Sequence, residues 1–286
     1  MKIRRVLSSF LVSMSLVASV PMMTGCEEVA DALQGASDGE TASALKQALQ
    51  IGVTTAVNKL SSEGYMADAA TKIGIPESAI TAFEIYNELK GNKGASAVLD
   101  QLGFTDDLED NLVTAFNNAA TDAAPKSAKI LADEVTGLTI QDAKDILFGA
   151  DNAATVKLQN DCQSDLMAAF HPTITESMNN VKVANMSATQ LWSKFATGNN
   201  KLYEWVNTTA GQIAIKALPI AGVKSSVVDK ISSVSTVNPD ISDEITGRAL
   251  DGLFTKIAEK ELGIRTNVAE RTNDLLRRVF GQLDKN

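Results

Sequence analysis

Residues 248–280 read RALDGLFTKIAEKELGIRTNVAERTNDLLRRVF, and this stretch indicates how the chain folds. Its first half repeats apolar residues at a spacing of three or four, which predicts an amphipathic α-helix that ends at Gly263. The apolar positions are Leu250, Leu253, Phe254, Ile257 and Ala258. Two acids, Asp251 and Glu261, fall inside the same arc, whereas the other charged residues of this half project elsewhere. A last helix is expected to begin at Thr266.

The two carboxylates on the apolar arc need partners, because an unpaired charge is very unfavourable inside a protein. Three arginines follow at once in the sequence and could supply them. The candidate cluster consists of Asp251, Glu261, Arg265, Arg271 and Asp274. The preferred interpretation is a structural ion-pair network that joins the last two helices. A pocket for a small polar ligand or a divalent cation, and a hydrolase with a carboxylate pair, remain open alternatives.

A second group of polar residues surrounds a predicted helix boundary near residue 150. The run TIQD at 139–142 resembles a capping box, Gly149 is predicted to end that helix as a left-handed cap, and Asp151 to cap the next. The group consists of Asp142, Lys144, Asp151 and Thr155. Capping and a solvated helix face are the preferred explanation, and a second ligand site is the alternative.

Helical spacing dominates the rest of the chain as well. Much of the apolar content is alanine, aromatic residues make up only 5%, and six prolines interrupt the 286 residues. No segment alternates with period two for long enough to indicate a sheet. We therefore predict an all-α fold, a single multi-helix, bundle-like domain over residues 41–286. The helices should break at Pro125 and at Pro172, and residues 219–239 fit a helix, a loop or an edge strand.

The N-terminus has the organisation of a bacterial lipoprotein leader. Three basic residues among the first five precede an apolar stretch at 6–20 that is too short and serine-rich for a comfortable membrane span. The run MTGC at 23–26 resembles a lipobox, whose cysteine is acylated and becomes the first residue of the mature protein. We predict a signal peptide at 1–25, lipid on Cys26 and a flexible tether at 26–40. The expected location is the periplasm, anchored to the outer membrane of a Gram-negative bacterium.

The charge of the chain bears on its partners. Loss of the leader removes three of the 26 basic residues and no acids, so the formal net charge changes from −9 to −12. Such a surface repels nucleic acid and anionic lipid head groups. The expected partners are therefore the membrane through the lipid anchor, and an envelope protein or a small polar ligand.

Few residues are available for catalysis or metal binding. The single histidine, His171, would have to serve any Ser-His-Asp or Cys-His arrangement, and zinc sites of the His/Cys type are effectively excluded. If Cys26 carries lipid, Cys162 has no disulfide partner, and its helical position predicts a small buried residue; whether it is reactive stays open. There is no glycine-rich phosphate loop. We predict no cofactor and no metal, and an enzyme is the less favoured class.

Several motifs resemble a bacterial lipoprotein family known as domain of unknown function four-one-nine-seven. Residues 139–155, TIQDAKDILFGADNAAT, are similar to the family's TFEDAKKIL-G-DTAAT run. Residues 249–254 (ALDGLF) and 271–280 (RTNDLLRRVF) are similar to ALDGLF and RTTDLLKKVFG in the family. The resemblance extends over most of the chain from about residue 40, with departures at 91–103 and 205–237. It implies a helical periplasmic lipoprotein and assigns no activity.

Two functions of different kinds follow from these observations. The first is a binding or scaffolding module at the envelope, which requires an apolar groove, with Trp192 or Trp205 exposed in it. The second is an enzyme that uses Asp251 and Glu261, which requires both carboxylates in one open cleft. If arginines close on the acids and leave no cavity, the enzyme hypothesis fails.

Overall fold

The computed structural model describes residues 36–285, and these form an all-α domain. The signal peptide, Cys26 and most of the predicted tether lie outside the described residues. Eleven α-helices occur in the described range. They are α1 (Asp38–Ser62), α2 (Glu77–Leu89), α3 (Ser96–Leu102), α4 (Leu108–Gly137), α5 (Ala143–Leu147), α6 (Ala153–Asn180), α7 (Ala188–Val206), α8 (Thr209–Ala217), α9 (Ser225–Ser232), α10 (Ser242–Thr266) and α11 (Asp274–Phe280). Of the helices described, none is long and apolar enough to cross a membrane.

The four long helices α1, α4, α6 and α10 form the centre of the domain. Each packs along two of the others, in the cyclic order α1, α4, α6, α10, as in a four-helix bundle. Small residues allow close approach at these contacts. A Cβ on Gly52 of α1 would lie 3.0 Å from the side chain of Ile257 on α10, and one on Gly252 would lie 2.6 Å from the ring of Tyr65.

A second group of helices covers one side of the bundle and shares an aromatic cluster with it. The helix α7 packs on α3, α4 and α6, while α9 packs on α2. The rings of the cluster lie about 5–6 Å apart, a spacing typical of favourable aromatic pairs. The cluster consists of Phe83, Phe104, Phe116, Trp192 and Phe195. Trp192 is thus part of the core.

A two-stranded hairpin connects α6 to α7. Its strands, β1 (Lys182–Val183) and β2 (Met186–Ser187), are antiparallel and have only two residues each. Ala184 and Asn185 form the turn, and both have positive φ, as a tight hairpin turn of this type requires. Ser187 then begins α7 with a complete capping box. Strands this short leave the fold class all-α.

The two breaks predicted at prolines do not occur. The helix α4 runs continuously through Pro125, and α6 runs continuously through Pro172. Each proline removes one backbone hydrogen bond, but the flanking turns are packed in the core. Ala123, Ala124 and Ser127 are buried around the first proline. Tertiary packing therefore outweighs the local preference of proline.

Several predicted boundaries also differ from the structure. The domain begins before residue 41, because Ser37 and Glu40 form a capping box that starts α1 at Asp38. The helix α10 continues through Gly263 to Thr266, and the last helix starts only at Asp274, capped by Asn273. Residues 219–239, left undecided by the sequence, contain the helix α9 between two loops.

Candidate functional site

Glu261 lies on α10 at the point where this helix meets the N-terminus of α6. Its side chain is fully buried, and both oxygens accept hydrogen bonds. Oε2 accepts from the backbone N–H of Thr155 at 2.7 Å and from its Oγ1 at 2.6 Å. Oε1 accepts from the backbone N–H of Ala154 at 3.0 Å. Because no side chain of Asn152 caps α6, Glu261 serves as the cap of this helix from a distant part of the chain.

Arg265 completes the arrangement from the next turn of α10. Its Nε and Nη2 lie 2.9 and 2.8 Å from Glu261 Oε1, and its side chain is also buried. The remaining donors reach the end of α5, where Nη1 is 2.6 Å from the carbonyl oxygen of Leu147 and Nη2 is 3.0 Å from that of Ile146. The pair therefore links the last carbonyls of α5 to the first amides of α6 and holds the loop between them.

Arg271 closes the C-terminal end of α10. Its Nε and Nη2 donate to the carbonyl oxygens of Ile264 and Arg265 at 2.9 and 2.8 Å, and its side chain is 1% exposed. The guanidinium also makes a two-pronged contact with Asp284, at 2.5 and 2.8 Å. This hydrogen bonding holds the pKa of Asp284 below its usual value. Arg271 thus joins the last residues of the chain to α10.

Asp251 and Asp274 do not join this network. Asp274 is fully exposed and contacts Arg277 at 3.0 Å. Asp251 and Glu261 are ten residues apart on one helix, which separates them by about 15 Å along its axis. Paired carboxylates of glycosidases lie about 5–9.5 Å apart, so these two acids do not form such a pair. Glu261 is enclosed by its partners and lies in no open cleft.

The residues of the second candidate group, around residue 150, do not form one site either. Lys144 pairs with Asp38 at 3.0 Å, and both side chains are exposed. Asp142 precedes α5 without capping it, so the capping box predicted at 139–142 is not formed. Asp151 does not cap α6, and Gly149 is not among the glycines with positive φ. Thr155 is the member of this group that belongs to the buried network, through Glu261.

Lys256 is a buried charge that the sequence did not reveal. Its side chain is 3% exposed and contacts Asp68, in the loop after α1, and Glu259 at 2.6 Å. The helical spacing directs Lys256 away from the apolar arc, but the loop that follows α1 covers it. No local pattern in residues 248–280 could have indicated this contact, because Asp68 lies far away in the sequence.

A groove of about 590 Å³ lies between the N-terminal part of α6 and the middle of α10. Its apolar part includes Phe254, Ala258 and Leu262 on α10 and Val156 on α6. Asp151, Asp251 and Glu259 supply charge along it, and no lysine or arginine is among the described residues that line it. Thr155 also lines the groove, so its bond to Glu261 fixes one wall. The buried network thereby supports an open, acidic and partly apolar surface.

Both tryptophans proposed for such a groove lie elsewhere. Trp192 is 1% exposed and donates from Nε1 to the carbonyl oxygen of Asn238 at 2.9 Å. Trp205 is half-buried against the core. Neither lines the α6–α10 groove. The exposed apolar side chains that do line it are Val156 and Leu262, at 39% and 40%.

His171 lies beside Ser242 at the start of α10, an arrangement not foreseen from the sequence. Its Nε2 is 3.0 Å from Ser242 Oγ and 3.2 Å from Asp243 Oδ1. Ser242 Oγ donates to Asp240 Oδ1 at 2.6 Å, and hydrogen bonds from Ser242 lower the pKa of Asp240. Since the one serine proton points at an ionised carboxylate, Nε2 is a donor here. A histidine in that role does not activate a serine.

Cys162 is buried in α6, and burial raises the pKa of its thiol to about 12. A thiol of this kind is not ionised at neutral pH, and the thiolate is the reactive form. Within residues 36–285, no group of three or more His, Cys, Asp or Glu side chains is placed to hold a metal ion.

Replacing Asp251 by asparagine is expected to raise the melting temperature at neutral pH. Desolvation raises the pKa of Asp251, despite the opposing effect of Arg248. Because the folded-state pKa lies above the unfolded value of about 3.9, the ionised carboxylate destabilises the folded chain at pH 7. The penalty disappears when pH falls below the unfolded pKa.

The measurement is the melting temperature of both proteins at about pH 7 and pH 3. The variant should melt higher at pH 7, and the difference should vanish at pH 3. Asp165→Asn, at an exposed carboxylate in the middle of α6, is the matched control and should leave the melting temperature unchanged. A lower melting temperature for Asp251→Asn at pH 7 would contradict the expected sign.

Comparison with known proteins extends the resemblance found in the sequence. No curated protein and no solved structure matches the chain. One family model matches residues 35–281, and its description is "Protein of unknown function (DUF4197)". The matched range begins just before the first described residue, Ala36, and ends just after α11, so it covers nearly the whole helical domain. The chain therefore belongs to the DUF4197 family, as the motifs at 139–155, 249–254 and 271–280 had indicated.

Proposed function

We propose that this chain is a lipid-anchored, non-enzymatic binding module of the bacterial envelope, which holds a partner in the α6–α10 groove. The observation that carries the proposal is the groove itself. Its volume of about 590 Å³ is within the range of about 300–1,000 Å³ that is usual for ligand sites. Half-exposed Val156 and Leu262 give it an apolar surface. An open apolar groove with charged groups is typical of a recognition site.

The buried network below the groove also supports a binding role. The bonds from Glu261 to Ala154 and Thr155 hold the N-terminus of α6 against α10. A wall held in this way is rigid before the partner arrives, and pre-organisation lowers the entropic penalty of binding. The described residues that line the groove include Thr155 and Thr255 but no histidine, cysteine or serine. A nucleophile paired with a histidine base is therefore not among them.

The leader supports the proposed location. Cys26 in the lipobox-like run at 23–26 would carry the lipid, and the domain begins at the N-cap Ser37. Eleven residues of extended chain from Cys26 to Ser37 span at most about 40 Å. A tether of this length would keep the domain attached to the membrane on its periplasmic side.

Photo-crosslinking in intact cells tests this proposal. A benzophenone amino acid in place of Leu262, 40% exposed in the groove, is expected to form discrete adducts with another envelope component. The same amino acid in place of Ile220, which is 91% exposed and outside the groove, is the matched control and should form none. Fractionation of the same cells should place the protein with the membranes, and a radiolabelled fatty acid supplied to them should label the wild-type protein but not the Cys26→Ser variant.

Two outcomes would contradict the proposal. Identical adducts from positions 262 and 220, or no adduct from position 262, would show that the groove holds no partner. A wild-type protein that takes up no fatty-acid label, or a Cys26→Ser protein that is labelled equally, would exclude anchoring through lipid on this cysteine.

A further inference from the structure

We infer that the occupant of the α6–α10 groove is a helical segment of a partner protein, apolar in its middle and with a lysine or arginine at each end. This inference rests on the proposed binding function and specifies the chemistry of the partner. It depends on three features of the groove: its apolar ridge, the position of its acids and the lack of cations among its described lining residues.

The apolar ridge has the form that receives a helix. Phe254, Ala258 and Leu262 occupy successive positions four residues apart on α10. Phe254 is buried at the floor of the groove, whereas Leu262 and, facing it from α6, Val156 are exposed. Side chains at this spacing lie in a row along one helix face. The row spans just over two turns, or about 12 Å, and an amphipathic helix docks on such a row through residues at i, i+3, i+4 and i+7.

The acids lie at opposite ends of this ridge. Glu261 contacts the first residues of α6, whereas Ser242 contacts His171 in the second half of α6, so the two helices are antiparallel. Asp151, just before α6, is therefore at the Leu262 end of the groove, and Asp251 marks the other end. From Asp251 to Leu262 the rise along α10 is about 17 Å.

These two carboxylates have no partner among the described residues. Neither makes a side-chain hydrogen bond or ion pair within the described range, whereas Glu259, the third acid of the groove, contacts Lys256 at 2.6 Å. Arg248, the cation that acts on Asp251 through space, is itself paired with Glu244 at 2.8 Å. Partial desolvation of Asp251 without a partner is unfavourable, and a cation from another molecule would offset it.

The spacing defines the partner in more detail. On a helix, residues eleven apart are separated by about 17 Å and lie on nearly the same face. A partner helix with basic residues about eleven positions apart could therefore reach Asp151 and Asp251 together while its apolar stripe covers the ridge. An acidic helix, nucleic acid or an anionic lipid surface would be repelled by the same carboxylates.

The test uses three labelled amphipathic peptides of equal length with the same leucine stripe. Their flanks carry lysine, glutamine or glutamate. Binding to the full chain in phosphatidylcholine nanodiscs is measured by fluorescence anisotropy, with empty nanodiscs as the baseline. The lysine peptide is expected to bind roughly tenfold more tightly than the glutamine peptide, as two partly exposed ion pairs would give, and the glutamate peptide to bind least.

Variants then locate the interaction. Asp151→Asn with Asp251→Asn should remove the preference for lysine, and Leu262→Gln should weaken binding of all three peptides. Asp274→Asn, at an exposed acid outside the groove, should change nothing. Unfolding curves of each variant confirm that the fold is kept, since these side chains take no part in the buried network.

The outcomes separate this inference from the proposed function. Equal binding of the three peptides, or an unchanged lysine preference in the double variant, would overturn the basic helix as occupant. If no peptide binds while position 262 still forms specific adducts in cells, the occupant is of another class and the binding function stands. If the adducts are also missing, both proposals fail.

Discussion

Replacing Glu261 by glutamine is expected to lower the free energy of unfolding by about 3–5 kcal/mol, the usual effect of breaking a buried ion pair. Glutamine keeps the shape of the side chain but removes the charge that faces Arg265. It also replaces one of the two acceptor oxygens by an NH₂ group, so either the N–H of Ala154 or that of Thr155 loses its acceptor. The guanidinium of Arg265 would then be buried without a counter-charge, although it still donates to the carbonyl oxygens of Leu147 and Ile146.

The measurement is equilibrium unfolding in urea, with Glu204→Gln as the matched control. Glu204 lies on the helix α7 and is exposed, so the control should stay within about 0.5 kcal/mol of wild type. A loss below about 1 kcal/mol for Glu261→Gln would show that the network contributes little to stability.

A double replacement extends this prediction. Buried ion pairs replaced by apolar residues of similar volume often leave stability unchanged. Here Glu261→Leu with Arg265→Leu should remain destabilised by about 2 kcal/mol or more, because the amide of Thr155 and the carbonyl oxygen of Leu147 lose their partners. A neutral double variant would mean that water or a rearranged backbone can satisfy these groups.

Replacing Arg271 by lysine should destabilise the domain by about 2–4 kcal/mol, although the charge is kept. The guanidinium donates to the carbonyl oxygens of Ile264 and Arg265 and also to Asp284. A single ammonium group cannot reach all of these acceptors in that geometry, and each buried carbonyl left without a donor is unfavourable by about 1–3 kcal/mol. Arg277→Lys, at a side chain that is 56% exposed, is the matched control and should be close to neutral.

The pH dependence separates the ion pair from the capping contacts of Arg271. Contact with Arg271 lowers the pKa of Asp284, so this carboxyl group contributes stability above its unfolded pKa. That contribution is lost as pH falls through the lower folded-state pKa. Asp284→Asn should therefore be less stable than wild type at pH 7, and the difference should disappear in acid. The effect of Arg271→Lys should persist there, because the backbone carbonyls do not titrate; equal loss of both effects would contradict this assignment.

Most of the fold could be predicted because helical periodicity is a local property. Residues 248–280 showed the apolar arc of α10, and the structure buries the predicted Leu250, Leu253, Phe254 and Ile257. Helix boundaries were less accurate. Pro125 and Pro172 are tolerated inside helices whose flanking turns are packed in the core, and that packing is not visible in the local sequence.

For the candidate site, too, the local spacing could be predicted but the tertiary contacts could not. Glu261 could be placed on a buried arc from its spacing alone, and the need for a partner followed from its charge. Asp251 fell on the same arc by spacing, yet it lines an open groove, because none of the helices within residues 36–285 covers that side of α10. Lys256, assigned to the surface, is buried under the loop that carries Asp68.

The sequence by itself determined the helical class, the apolar faces of the helices and the family, since these depend on residue order and short-range spacing. Only the tertiary structure decided that Glu261 caps a helix more than a hundred residues away, with Arg265 as its partner. It also decided that Asp151 and Asp251 lie at the two ends of one groove. A helical repeat shows which side chains share a face of the helix. Which element packs on that face depends on how helices that are distant in the sequence come together.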